Sequence, residues 1–95
     1  MTVYRPDKDS FLLKNYVSEM DLQGKKALDM GTGSGVIALE MARKGAEAAA
    51  VDINPEAVEK VSCRSEGKGL EIQVIESDLF ENLDERFDLI AFNPP

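Results

Sequence analysis

Apolar residues recur along this chain in two rhythms, and the alternation between them sets out its architecture. Phe11, Leu12, Leu13, Tyr16, Val17 and Met20 fall at helical spacing, predicting a helix over about 9–20 with Asp9 or Ser10 as its N-cap. The polar stretch from Tyr4 to Ser10 reads as the lead-in to that helix, and Gly24 ends the connection after it. Ala27, Leu28 and the residues before them make a short buried strand. Gly31, Gly33 and Gly35 then punctuate a turn, and Val36 to Lys44 returns to a helical pattern that stops at Gly45. Ala48 to Val51 is a second strand, ending in Asp52. Asn54-Pro55-Glu56 starts another helix, with a cap at Asn54 and proline in the first turn. That helix turns Ala57, Val58 and Val61 inward and breaks at Gly67-Lys68-Gly69. Ile72 to Ile75 is a third strand, Asp84-Glu85-Arg86 a solvated loop, and Phe87 to Phe92 a fourth strand running into Asn93-Pro94-Pro95.

Strands and helices alternating at these intervals predict an α/β fold: a Rossmann-like parallel sheet with right-handed crossovers, helices on both faces, and ligands at the carboxyl ends of the strands. The candidate chemistry gathers on that edge. Asp29-x-Gly31-x-Gly33-x-Gly35 follows the first strand, Asp52 ends the second, Asp78 follows the third, and Asn93-Pro94-Pro95 follows the fourth. Without a β-carbon, the turn glycines can take positive φ and let a ligand approach the next helix's N-terminus, whose free N–H groups favour an anion such as a carboxylate. A dinucleotide fingerprint, Gly-x-Gly-x-x-Gly, does not fit, because its third glycine would fall at position 36, where Val36 stands.

Composition narrows the class. At 95 residues and 43% hydrophobic, the chain is a single domain segment: 1–23 is a lead-in with its helix, and 24–95 is the ligand-binding half. No apolar run approaches the ~18 residues of a membrane span, and the first residues lack a signal peptide's apolar core, so the expected address is cytoplasmic with no membrane partner. With one cysteine and no histidine there is no soft metal site, and Cys63 is expected to be inert. Eleven basic residues against 18 acids leave a net charge of −7, so a nucleic-acid partner would need basic surface from elsewhere.

Four stretches together carry a family resemblance: Leu28 to Gly35, Val51-Asp52-Ile53-Asn54-Pro55, Ser77-Asp78-Leu79-Phe80 and Phe92-Asn93-Pro94-Pro95. The chain resembles the class I S-adenosylmethionine-dependent methyltransferases, and within them the HemK-like branch that methylates a glutamine side-chain amide in translation release factors. The opening Tyr4-x-Pro6-x-x-Asp9-Ser10-Phe11-Leu12-Leu13 is similar to the lead-in of the archaeal and eukaryotic subgroup. The resemblance implies S-adenosylmethionine as cofactor and a release factor as protein substrate, and leaves open whether an activating subunit is needed.

It also implies roles. The backbone of Gly31, Gly33 and Gly35 and the helix start suit the cofactor's methionine portion. Asp52 suits both ribose hydroxyls, since a carboxylate has two accepting oxygens. Asp78 would accept from the adenine amino group, and Asp29 would brace the loop or hold a water near the cofactor amine. Pro6 and Asp9 would lie in a lead-in closing over the cofactor. Asn93 and Pro94 are the catalytic pair: the Asn93 side-chain oxygen and the Pro94 carbonyl can accept the two protons of one NH₂ group and aim its delocalised lone pair at a methyl carbon. The same motif permits an adenine amino group in DNA or RNA as acceptor, and outside enzymes the chain would be a non-catalytic cofactor-binding module. In the family's sheet order, three-two-one-four, the later strands are missing here. The fourth strand is therefore expected to carry an uncovered edge, leaving a protein that ends at Pro95 unstable or self-associating and without activity on its own.

Overall fold

The computed structural model describes residues 2–4, 10–77 and 86–92, with side chains over 14–77 and 86–92. Within it, β1 (Thr2–Tyr4), α1 (Ser10–Ser18), β2 (Lys26–Met30), α2 (Val36–Arg43), β3 (Glu47–Asp52), α3 (Pro55–Gly67), β4 (Ile72–Glu76) and β5 (Leu89–Phe92) follow one another. The strands form one sheet in the order β1-β5-β2-β3-β4, and every pairing is parallel. The expected order of the last four strands is the one observed.

Local chemistry accounts for the boundaries. Asn54 caps α3 by accepting the Glu56 N–H at 2.9 Å, and Pro55, which has no N–H to satisfy, occupies the first helical position. After Arg43 the chain turns at Gly45, whose φ of +94° is closed to most side chains. Helix α1 ends at Ser18, two residues before the expected limit, and Met20 N–H still reaches the Val17 carbonyl at 3.0 Å as the helix unwinds.

Two elements differ from expectation. The strand expected from Phe87 begins only at Leu89, because Asp88 turns away to bond the Lys26 backbone: its N–H donates to the Lys26 carbonyl at 2.8 Å and its carboxylate accepts the Lys26 N–H at 2.9 Å. Phe87 keeps its apolar role by being buried. The second difference corrects the expected open edge. The segment 1–23, read as a lead-in with its helix, also carries β1, which pairs with β5 in the register Thr2↔Leu89, Val3↔Ile90, Tyr4↔Ala91. A bare parallel edge presents a row of unpaired N–H and C=O groups, and a β-branched, aromatic tripeptide suits that row.

The sheet's two faces have different packing. Ala27, Ala48, Leu89 and Ala91 meet Val17 of α1 and Ile37 and Met41 of α2, while Ala50 and Val74 meet Ala38 and Val61. Small alanines there let the helices sit close to the strands. On the other face Leu28, Met30, Ala49, Val51 and Ile90 cluster with Phe87. Buried on both faces, β2, β3 and β5 need the near-continuous apolar runs seen in the sequence.

Candidate functional site

The glycine turn joins β2 to α2 at the carboxyl edge of the sheet, and most of its N–H groups are already engaged by the protein. Gly31 and Thr32 both donate to the Val51 carbonyl, at 2.8 and 3.0 Å, and Gly35 donates to the Thr32 carbonyl at 2.9 Å. Gly33 donates to Asp52 Oδ2 at 2.9 Å. Three of these amides hold the turn against β3 and the fourth, that of Gly35, closes the turn on itself, so what the glycines offer a ligand is a fixed, close-lying backbone. Gly35 is the position where glycine is required twice over. It takes φ +83° as the N-cap of α2, and a β-carbon there would lie 2.7 Å from Val61 Cγ2 of α3.

Asp52 sits at the tip of β3, half-buried, between the turn and α3. Its Oδ2 accepts from Gly33 and its Oδ1 accepts from the Asn54 N–H at 2.9 Å. A carboxylate offers about four lone-pair positions, so these two bonds fix its orientation and leave about two for hydroxyl donors. Beyond it, Ile53 is 66% exposed, an apolar side chain held open at a polar edge. Sequence reading passed over Ile53. Its signal was an apolar residue placed after the strand had ended, where burial no longer calls for one.

Asp29 lies beneath the turn, 1% exposed. Its Oδ2 accepts the Thr32 hydroxyl at 2.8 Å, while Oδ1 is buried with no hydrogen-bond partner among the described residues. Burial pushes its carboxyl up to about 6; the Thr32 hydroxyl and the Ala38 backbone N–H draw it partway back, and the charge of Asp52 adds a smaller upward push. A buried acceptor left half-satisfied is unfavourable in a folded core, and this one belongs to the carboxylate that holds Thr32 of the turn. Thr32 was also overlooked; its position three residues after Asp29 is the spacing at which a hydroxyl can reach back to a carboxylate across a turn.

Two further strand ends reach the same edge. Ser77 N–H donates to the Asp52 carbonyl at 3.0 Å, and Phe92 lies in register with Met30. Asp78 follows the first of these ends, Asn93 and Pro94 the second; all three, with Pro6 and Asp9 of the lead-in, lie outside the described residues. Of the predicted set, Asp29, Gly31, Gly33, Gly35 and Asp52 are brought together. Cys63, left as inert, is an exposed thiol on α3. Among the described residues no cluster of metal-ligating side chains occurs, and no helix is long and apolar enough to cross a membrane.

Comparison with known proteins agrees with this geometry. The family model for the methyltransferase small domain matches residues 3–95. A Methanocaldococcus jannaschii protein whose name provisionally assigns it as a protein N5-glutamine methyltransferase is 45% identical over 95 residues, covering 98% of this chain and 47% of the relative. The ribosomal protein uL3 glutamine methyltransferase of Neisseria gonorrhoeae is 44% identical over 81% of this chain and 27% of its own length. The release factor glutamine methyltransferase of Lactococcus lactis is 33% identical over 96% of this chain and 34% of its own. Among solved structures, the Thermus thermophilus 16S rRNA N2 G1207 methyltransferase, in complex with AdoMet and guanosine, superposes with a TM-score of 0.84 at 35% identity, over 95% of this chain and 26% of that one. This chain thus spans about half the length of the archaeal relative and a smaller share of the others.

Proposed function

Taking as premise that the chain belongs to the methyltransferase small domain family, we propose that it forms the S-adenosylmethionine-binding part of a methyltransferase acting on a planar nitrogen, the side-chain amide of a protein glutamine. The observation that carries this is Asp52: both its oxygens are pinned by backbone N–H groups beside a glycine turn, so its remaining lone pairs have a fixed direction. Two vicinal hydroxyls are the donors a pre-oriented carboxylate takes best, and a ribose supplies them. Ile53 gives an apolar surface next to that carboxylate for the adenine ring, which Asp78 would meet at its amino group.

Asp29 fits the other end. Its unpaired, buried Oδ1 suits the cofactor's ammonium group directly or through a water, and a cation there would favour the ionised form that burial disfavours. When bound, S-adenosylmethionine supplies a methyl group activated by a sulfonium sulfur. Asn93 and Pro94 would do the rest of the positioning by accepting both amide protons of the substrate, which holds the nitrogen lone pair toward that methyl. The acceptor needs no strong base beforehand, because the nitrogen loses a proton readily once alkylated. Pro6 and Asp9 would close the cofactor side from the lead-in.

The lead-in favours a release factor as substrate; the relative named for ribosomal protein uL3 makes that protein the nearest rival. Any requirement for an activating subunit belongs to the same proposal. A second reading, methylation of an exocyclic amino group in RNA, is favoured by the superposition on an rRNA methyltransferase. Titration calorimetry with S-adenosylmethionine and with NAD tests the cofactor: binding of NAD alone would end the proposal. In the full-length protein, methyl transfer to release-factor and uL3 peptides containing glutamine, set against a guanine- and adenine-containing oligonucleotide, separates the substrates.

A further inference from the structure

We infer that the groove where α1, α2 and α3 meet docks an acidic segment of a protein partner. It measures about 490 Å³, the size of a site for a short side-chain cluster rather than a flat contact. Lys14 of α1, Arg43 of α2, and Arg64 and Lys68 at the end of α3 converge on it, four of the chain's 11 basic residues, in a protein whose net charge is −7. The only acid among its described lining residues is Glu40, and Arg43 already holds it: Arg43 Nε donates to Glu40 Oε1 at 3.0 Å, its Nη2 to Oε2, and the pairing keeps the Glu40 carboxyl below its usual range. The groove is therefore net cationic on a chain that is otherwise strongly acidic, and its field selects an anion.

The lining also selects which anion. Val36, Leu39 and Leu70 form an aliphatic floor, and no aromatic side chain occurs among the described lining residues. Nucleic acids held without base pairing are gripped by cations along the backbone together with aromatic platforms for the bases, and the described lining supplies only the first component. An acidic peptide carrying an aliphatic residue meets both parts of the groove, its carboxylates on the lysines and arginines and its apolar side chain on the floor. Arg64 connects this surface to the turn, since its Nη1 donates to the Ser34 carbonyl at 2.9 Å. A partner docked here is thus seated beside the glycine turn. The inference stands whether or not the methyltransferase reading holds, because it draws on none of the glycines or carboxylates of that site.

The test uses this chain and a short labelled peptide of alternating glutamate and leucine, followed by fluorescence anisotropy. The peptide should bind, bind more weakly as salt rises, and lose about tenfold in affinity in K14E/K68E, a pair chosen because neither lysine braces the turn. K14A/K68A should lose less, and circular dichroism would confirm that both variants fold. A peptide with glutamine in place of glutamate should not bind. Three results would overturn the inference: unchanged binding in K14E/K68E, tighter binding of a matched oligouridylate through the same lysines, or a concentration-dependent mass increase abolished by K14E/K68E, which would assign the groove to a second copy of the chain.

Discussion

The two ends of the sheet use the same device with opposite outcomes. At the amino edge, exposed Asp88 accepts the Lys26 N–H at 2.9 Å while its own N–H returns the bond at 2.8 Å, and Glu47 N–H reaches the Lys25 carbonyl at 2.8 Å. Those contacts join neighbouring strand ends, and the Asp88 carboxylate stays exposed. At the carboxyl edge, Asp29 is buried with one oxygen unpaired, and Asp52 is pinned with accepting capacity to spare. The difference teaches where to look for binding: Asp88 ties two strand ends together from solvent, whereas Asp29 and Asp52 are held in fixed positions at the glycine turn, where the proposed cofactor site lies.

Substitutions can sharpen or break that contrast. The largest effect is expected at Gly35, where alanine would meet both a strained φ and Val61 at 2.7 Å; G35A should lose about 2–4 kcal/mol in urea unfolding, and G69A, at φ +66° with open space, about 1. Equal losses would show that the packing on Val61 is not what fixes this glycine. Next is the pH dependence set by Asp29. Burial pushes its folded carboxyl up to about 6, above the ordinary aspartate range, so its contribution to stability falls as pH rises from about 4 to about 6, by up to about 3 kcal/mol. D29N should flatten that slope and, at pH 7, unfold at higher urea than the parent while binding S-adenosylmethionine less well. If D29N instead lowered stability at neutral pH and left the slope intact, Asp29 would be a brace of the turn and nothing more. D52A comes third, with about a tenfold loss of cofactor affinity by calorimetry together with about 1–2 kcal/mol of stability, since the Gly33 and Asn54 N–H groups lose their acceptor. The smallest change should come from D88A, about 0.5–1 kcal/mol in unfolding with cofactor affinity unaltered. A cofactor effect there as large as at Asp52 would erase the distinction between the two edges.

Much of this was legible in the residues. Long periodic segments gave the helices, and the return of apolar runs every twenty or so residues gave a parallel sheet; its order for β2 to β5 was implied by the family resemblance, and it matched. Asp52 could be singled out because it stands where an apolar run stops. Strand β1 could not be read, since three residues are too few to show an alternation and its partner β5 lies far along the chain. Asp88 was absorbed into a strand because its neighbours Phe87 and Leu89 are both buried, although its backbone turns to Lys26. The unpaired oxygen of Asp29 is a three-dimensional property with no sequence trace. So is the cationic groove, whose residues lie on three separate helices and disappear into a negative total charge.

The order of strands has a consequence for how the protein is made. Among the described residues β5, the last strand in chain order, lies between β1 and β2, the first two. During synthesis, β1 emerges with no neighbour to pair with, and β2 can join only β3 on one side until residues 89–92 have left the ribosome. Pairings that span so much of the chain carry a large loop-closure cost and form late. β5 therefore joins the open edge of β2 late, and only then does β1 find its partner. That interval is when chaperones or a stray strand from another chain have their best access.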